Sequence, residues 1–351
     1  MKWITVCLLA SVLAGCAVEQ DGRKQRHAGN ERDNRAAMPL QTHNHTISPR
    51  QYQSMLGKGM DVDWAKTAQG IQFYTPKAPA DFQARGLQHV RIRVYEAATP
   101  GLLAHLQRVV DDSLKSGLIP VIAYRADPLE EDPLNPQAQQ AFLDWWKTVA
   151  EHFKAYPPSV SFNLIIEVSD KLKKHPEVIN DAYARVIPLI RQSNPTRIVM
   201  VSPNNLSAPE ELRNMRYPVD DRYLMAEWHF YAAGPSRTNP RKLWTNGNPA
   251  ERKLILDKIA MAKAWQDSHI PTWVGAWMAN NFNDDGGKPD KGEYSIPEQV
   301  EFARFVAGEL DKAGIPFAVN SDTKFYDRET GRWIAEQKPV LDAILKPGQK
   351  Q

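Results

Sequence analysis

Residues 160–202 read VSFNLIIEVSDKLKKHPEVINDAYARVIPLIRQSNPTRIVMVS. Val160–Val168 is an almost continuous apolar run, and Arg197–Ser202 is a second one. Between them, residues 176–192 place apolar side chains at helical spacing, with Pro188 inside the pattern and expected to kink it. Strands that are apolar without strict alternation are buried on both faces, as parallel strands are. The stretch is therefore one strand–helix–strand unit, and the same unit recurs outward in both directions. Further candidate strands are Ser54–Val62, Gln88–Tyr95, Leu118–Arg125, Tyr223–Tyr231, Pro271–Met278 and Ile315–Asn320. Thr99-Pro100 opens a helix that carries Leu103, Leu106, Val110 and Leu114 and stops at Gly117. Asn135-Pro136 opens the next, with Phe142, Trp145, Trp146, Val149 and Phe153. Ser295-Ile296-Pro297-Glu298 is a capping box, and Gly314 ends its helix. Eight strands alternating with about eight helices predict a (β/α)8 TIM barrel. An open doubly wound sheet is the alternative, though no G-x-G-x-x-G turn follows the first strand to recommend it.

Composition agrees with one large folded domain. The chain has 351 residues, of which 42% are hydrophobic and 24% charged, too apolar for disorder. The net charge is +3 and no long basic cluster occurs, which argues against a nucleic-acid partner. Lys2 and the apolar run Trp3–Leu13 read as a secretory signal, too short to span a bilayer as a mature helix. The run ends in Leu13-Ala14-Gly15-Cys16, which resembles the bacterial lipobox. That resemblance implies a signal peptide over 1–15, lipid on Cys16 and a membrane partner. With Ala17 at the next position, it implies the outer membrane of the cell envelope. Cys7 would leave with the signal, so the mature chain would hold no disulfide. Residues 16–50 read as a tether, with nine charges of both signs between 17 and 36. Residues 51–351 form the expected single domain. His43 and His45 read as solvated linker residues, and the loop Asn283–Gly287 is too irregular for a calcium site. No metal and no cofactor is expected.

In a barrel of this kind, chemistry sits at the C-terminal ends of the strands. Strand four closes with Glu167, a carboxylate costly to bury unless paired or working. Strand six ends Glu227-Trp228-His229-Phe230-Tyr231, with His229 and Tyr231 on one side by the period of two. Strand two offers Arg91 and Arg93, strand three ends Tyr124-Arg125, and strand eight ends Asn320-Ser321-Asp322. In this order the fragments resemble glycoside hydrolase family 5, the cellulase family. Val90-Arg91-Ile92-Arg93 matches the family's IRIP-like second strand. Phe162–Val168 is similar to its F-E-L-x-N-E-P segment, with Glu167 at the general acid/base position. Residues 182–197 (AYARVIPLIRQSNPTR) look like its fourth helix and the approach to strand five. His229-Phe230-Tyr231 matches the H-x-Y of strand six, and Ile315-Pro316-Phe317, followed by Tyr326-Asp327 through Trp333, matches its C-terminal run. The resemblance covers about residues 52–346 and implies a polysaccharide or oligosaccharide partner and hydrolysis of O-glycosyl bonds.

Four departures surround the implied site. The family's strand-seven G-E-F-G, which carries the nucleophile, reads Gly275-Ala276-Trp277-Met278 here. The asparagine before the acid/base is Ile166, the strand-eight tryptophan is Asn320, and strand three gives Tyr124-Arg125 where histidine is usual. Retaining glycosidases need two carboxyl groups about 5–5.5 Å apart. Ala276 has no nucleophilic atom, Ile166 cannot hydrogen-bond a sugar 2-OH, and Glu167 loses a like-charged neighbour. Two readings follow. One is a non-catalytic carbohydrate-binding lipoprotein, a pseudo-glycosidase whose groove uses Glu167, Arg91, His229, Tyr231, Trp277 and Asn320. Trp228, Trp244 and Trp273 are further candidates for stacking on sugar rings. The other is a glycosidase with a relocated second carboxylate among Asp170, Glu227, Asp284, Asp285 and Asp322; one placed further off would favour inversion, with separations of about 6.5–9.5 Å.

Overall fold

The computed structural model describes residues 46–230, 244, 247–278 and 295–349. Eight strands lie in chain order around a closed barrel: β1 (Lys58–Ala65), β2 (His89–Val94), β3 (Ile119–Tyr124), β4 (Ser161–Asn163), β5 (Val199–Val201), β6 (Leu224–Phe230), β7 (Thr272–Trp277) and β8 (Phe317–Val319). Every neighbouring pair is parallel, and β8 returns to β1 through Lys58↔Phe317 and Met60↔Val319. This is the expected TIM barrel. Its helices start where the caps predict. Thr99 accepts from the Leu102 amide ahead of Pro100–Lys115, and Asn135 accepts from Gln137 ahead of Pro136–His152. The Ser295/Glu298 capping box opens Ile296–Ala313, which ends at Gly314 with φ +65°. Pro188 is contained within one continuous helix, Pro176–Ser193.

Two boundaries depart from the sequence reading. Ser54–Leu56, expected as the start of the first strand, belong instead to the helix Pro49–Leu56. Pro49 follows a Ser48/Gln51 capping box, so local capping starts a helix inside the stretch expected as tether. Gly57, with φ +51°, then separates this helix from β1. The fourth strand was expected to run to Val168, but its ladder ends at Asn163. Beyond it, the Leu164 amide still donates to Met200 O and the Ile166 amide to Tyr124 O. The chain thus bridges β5 and β3 on its way to Glu167.

The interior divides into an outer apolar layer between strands and helices and an inner column filled by alternate strand residues. At the N-terminal end the column holds Val121, Ile198, Met200, Met225, Trp273 and Ala318, closed from below by Tyr52 and Leu56 of the first helix. His89 joins this plug; a Cβ at Gly59 would lie 2.3 Å from its ring, so the glycine makes room for it. Above the plug the column becomes charged.

Candidate functional site

β1 and β2 supply the charged level in register. Asp61 pairs with Arg91 in the ladder, and the inward alternation repeats at Asp63 and Arg93. Arg91 is wholly buried: Nη2 donates to Ile166 O at 2.8 Å, Nη1 donates to Glu227 Oε1 at 3.0 Å, and Nε lies 3.5 Å from Asp61 Oδ1. Arg93 is ion-paired with Asp63, and its Nη1 donates to Asn320 Oδ1 at 2.9 Å. Buried charges are tolerated when paired and hydrogen-bonded, and this network pairs them strand by strand.

β6 carries the centre. His229 Nε2 lies 2.5 Å from Glu227 Oε1, and Nδ1 lies 3.2 Å from Glu167 Oε1. A ring with both nitrogens against carboxylate oxygens is satisfied only when both bear protons. Burial would lower its pKa, but the charge of Glu227 and the hydrogen bonds to Glu167 and Glu227 outweigh that and push it up to about 9. Glu227, also wholly buried, is raised by burial but lowered more by His229 and Arg91, and stays below the usual carboxylate range. Asp61 goes the other way, because burial outweighs the attraction of Arg91 and Arg93. Its two oxygens make no hydrogen bond, and 3.5 Å is an ionic approach only.

Glu167 lies at the mouth, its side chain 27% exposed. The backbone before it is clamped, since Ser202 Oγ donates to Ile165 O at 2.8 Å and Arg91 holds Ile166 O. Ala276 is the ladder partner of His229, while Val274 is the partner of Trp228. β7 therefore gains one residue, Gly275, at a β-bulge. Paired residues point to the same face, so Ala276 stands on the His229 side of the sheet.

The bulge overturns the expectation for Trp277. Strict alternation from the inward Trp273 would turn Trp277 into the groove, but the extra residue sends it outward. It is fully buried with its ring against Phe302 and Phe317, at 6.1 and 5.5 Å between centroids. Trp228 is equally buried, Trp244 packs on Phe302 and Phe305, and Trp273 donates its indole N–H to His89 Nε2 at 3.1 Å in the lower plug. None of the four is available to stack on a sugar in this structure. Arg91, expected to touch substrate, lies beneath the mouth with its guanidinium engaged. Asn320 is 8% exposed and tied to Arg93. Tyr124 stacks on Trp145 in the outer layer at 3.9 Å, while Arg125 reaches the rim and pairs with Asp170, whose side chain is 56% exposed.

Among the relocated-carboxylate candidates, Glu227 and Asp322 are wholly buried and Asp170 is exposed. Asp284, Asp285, Tyr231 and Cys16 lie outside the described residues. The roles of Asp61 and Asp63 went unread in the sequence. Their signal is the alternation Asp61-x-Asp63, matched one strand on by Arg91-x-Arg93.

The fold and this mouth define a class: a (β/α)8 barrel with a carboxylate at the end of strand four, braced by a strand-six histidine. Residues 50–305 match the family described as Cellulase (glycosyl hydrolase family 5), and the chain belongs to that family. Endoglucanase H of Acetivibrio thermocellus is 25% identical over 296 residues, 81% of this chain and 31% of that protein. The chain thus spans less than a third of that relative's length. Among solved structures, a hyperthermophilic endo-beta-1,4-glucanase in complex with substrate superposes with a TM-score of 0.71 at 22% identity, covering 85% of this chain and 99% of that one. Thermotoga maritima Cel5A with mannotriose gives 0.69 at 18% identity, covering 84% and 99%. At these identities the structural likeness is one of fold.

Proposed function

We propose that this protein binds a neutral β-linked polysaccharide across the barrel mouth, with Glu167 as the carboxylate facing the glycan, and that the family's double displacement does not run in it. The surroundings of Ala276 carry this reading. The residue stands beside His229, where the family resemblance puts the nucleophile, and no residue of β7 bears a carboxylate. Glu227 and Asp322 are closed off from substrate, so neither supports a glycosyl-enzyme intermediate. The relatives named endoglucanases make a soluble β-1,4-glucan oligosaccharide the first probe, with a manno-oligosaccharide second. Calorimetry is expected to show binding that Glu167→Ala abolishes; no binding of either probe overturns the reading. A 2-fluoro glycoside inactivator is expected to leave the intact mass unchanged, and a covalent adduct overturns the loss of double displacement.

A second reading, hydrolysis with inversion, is favoured by one observation. Asp170 is an exposed carboxylate three residues beyond Glu167, held at 2.7 Å by Arg125. Release of the inverted anomer, lost in both Glu167→Gln and Asp170→Asn, would establish it. For location, we infer that lipid on Cys16 holds the domain at the cell envelope, on the motif Leu13-Ala14-Gly15-Cys16. Cys16→Ala is then expected to move the protein from the detergent phase to the aqueous phase, and unchanged partitioning overturns it.

A further inference from the structure

We propose that Glu227 is the positioning residue of this site: from beneath the mouth it anchors Arg91 and fixes the His229 ring with Nδ1 toward Glu167. The polar unit behind the glycan is then an imidazolium–carboxylate pair and not two carboxylates. The proposal rests on the reading of Glu167 as the glycan-facing carboxylate.

Three independent features support it. First, one oxygen, Glu227 Oε1, meets both Arg91 Nη1 at 3.0 Å and His229 Nε2 at 2.5 Å. The ring is thereby oriented from the side away from Glu167. Second, β7 is shaped to admit this carboxylate. A Cβ at Gly275 would lie 1.9 Å from Glu227 Oε1 and 2.3 Å from Arg91 Nη1, so the bulge glycine leaves the space that the pair fills. Third, Glu227 has no exposure, so it cannot activate a water or attack a sugar carbon, and its influence passes through His229.

The charged groups around the ring come from several elements. Glu227 lies on its own strand, Arg91 on β2, Asp61 on β1, and Glu167 on the segment after β4. β7 offers only Gly275 and Ala276. Arg91 and His229 contend for one oxygen of Glu227, and the positive Arg91 opposes protonation of the ring. Removing the Glu227 charge therefore leaves His229 facing a guanidinium at 3.2 Å on Nε2, with Glu167 Oε1 at 3.2 Å from Nδ1.

Histidine-selective 15N labelling of the whole protein tests this by NMR. In the wild type both His229 nitrogens are expected to show imidazolium shifts at pH 7.5; a neutral ring overturns the proposal without any variant. In Glu227→Gln, a near-isosteric change, the His229 titration midpoint is expected to fall by at least two pH units; an unmoved midpoint overturns it. At pH 8, where only the wild-type ring stays charged, the variant should bind the β-1,4-glucan oligosaccharide about tenfold more weakly, with the gap closing at pH 5.5. Equal affinity at both pH values overturns the positioning role. If the wild type binds no oligosaccharide, the reading of Glu167 fails while the two NMR results still decide the role of Glu227.

Discussion

The two halves of the barrel column are buried to the same degree and built from opposite chemistry. The lower half is largely apolar, and its histidine, His89, is kept neutral. Burial lowers its pKa to about 4, while Nδ1 meets Leu56 O at 2.6 Å and Nε2 accepts the Trp273 indole N–H. The upper half packs Asp61, Arg91, Glu227 and His229 with almost no exposure. Each half contains an inward glycine whose missing side chain admits a neighbour: Gly59 admits the His89 ring, and Gly275 admits the Glu227 carboxylate. The same device thus serves a stabilising plug in one place and an electrostatic support in the other. Apolar filling contributes stability outright, whereas a buried ion-pair network of this kind adds little net stability over an apolar filling of the same shape. A network that adds little stability yet sits directly beneath Glu167 supports the electrostatic role proposed for the upper half.

Two substitutions should cost similar amounts for different reasons. Trp273→Ala empties the plug and should cost ~3–5 kcal/mol in urea unfolding. Arg91→Met strands Glu227 and Asp61 and should cost ~3–5 kcal/mol at pH 7. They separate with pH: the Arg91→Met penalty should shrink at pH 5 as the stranded carboxyls take up protons, and the Trp273→Ala penalty should not. Equal pH dependence for the two would erase the contrast between the halves.

The wild type itself should lose stability above neutrality. His229 has its folded pKa raised from 6.5 to about 9, so its contribution is complete below pH 6.5 and disappears as pH rises through 9. Glu130 is a buried carboxyl pushed up to about 8 by desolvation, against the pull of Arg125, so its ionisation also opposes folding as pH rises toward 8. At 1.36 kcal/mol per pKa unit, His229 alone predicts a fall of ~3 kcal/mol between pH 6.5 and 9.5, and Glu130 deepens it below pH 8. A flat profile over that range would remove the charged ring from the upper half. The smallest effect belongs to the mouth. Glu167→Gln should cost ~1 kcal/mol, because it weakens a single hydrogen bond to the His229 ring made by a partly exposed side chain. A larger loss would make Glu167 part of the structural network below it.

Much of the fold is legible without coordinates because parallel strands and capped helices are written locally. Ser295 with Glu298, Asn135 before Pro136 and Gly314 each fix a boundary through hydrogen bonds within one turn. The site is less legible. Glu167 stands out as a carboxylate closing an apolar run, yet the run itself leaves the ladder at Asn163, and only the amides of Leu164 and Ile166 show how it is held. Trp277 is misread from sequence because a bulge shifts alternation by one residue; Gly275 is the one hint of it, and a glycine inside a strand does not by itself fix where the extra residue falls.

Residue order alone determined the alternation of strands and helices, the strand-four carboxylate and the absence of a carboxylate on strand seven, since each is a matter of local spacing or residue identity. Closure of the barrel decided the rest. It set Asp61 against Arg91 and Glu227 against His229, and it turned Trp277 out and Ala276 in. Those pairings join residues far apart in the chain, and their geometry depends on strand register and one inserted glycine, which long-range packing alone settles.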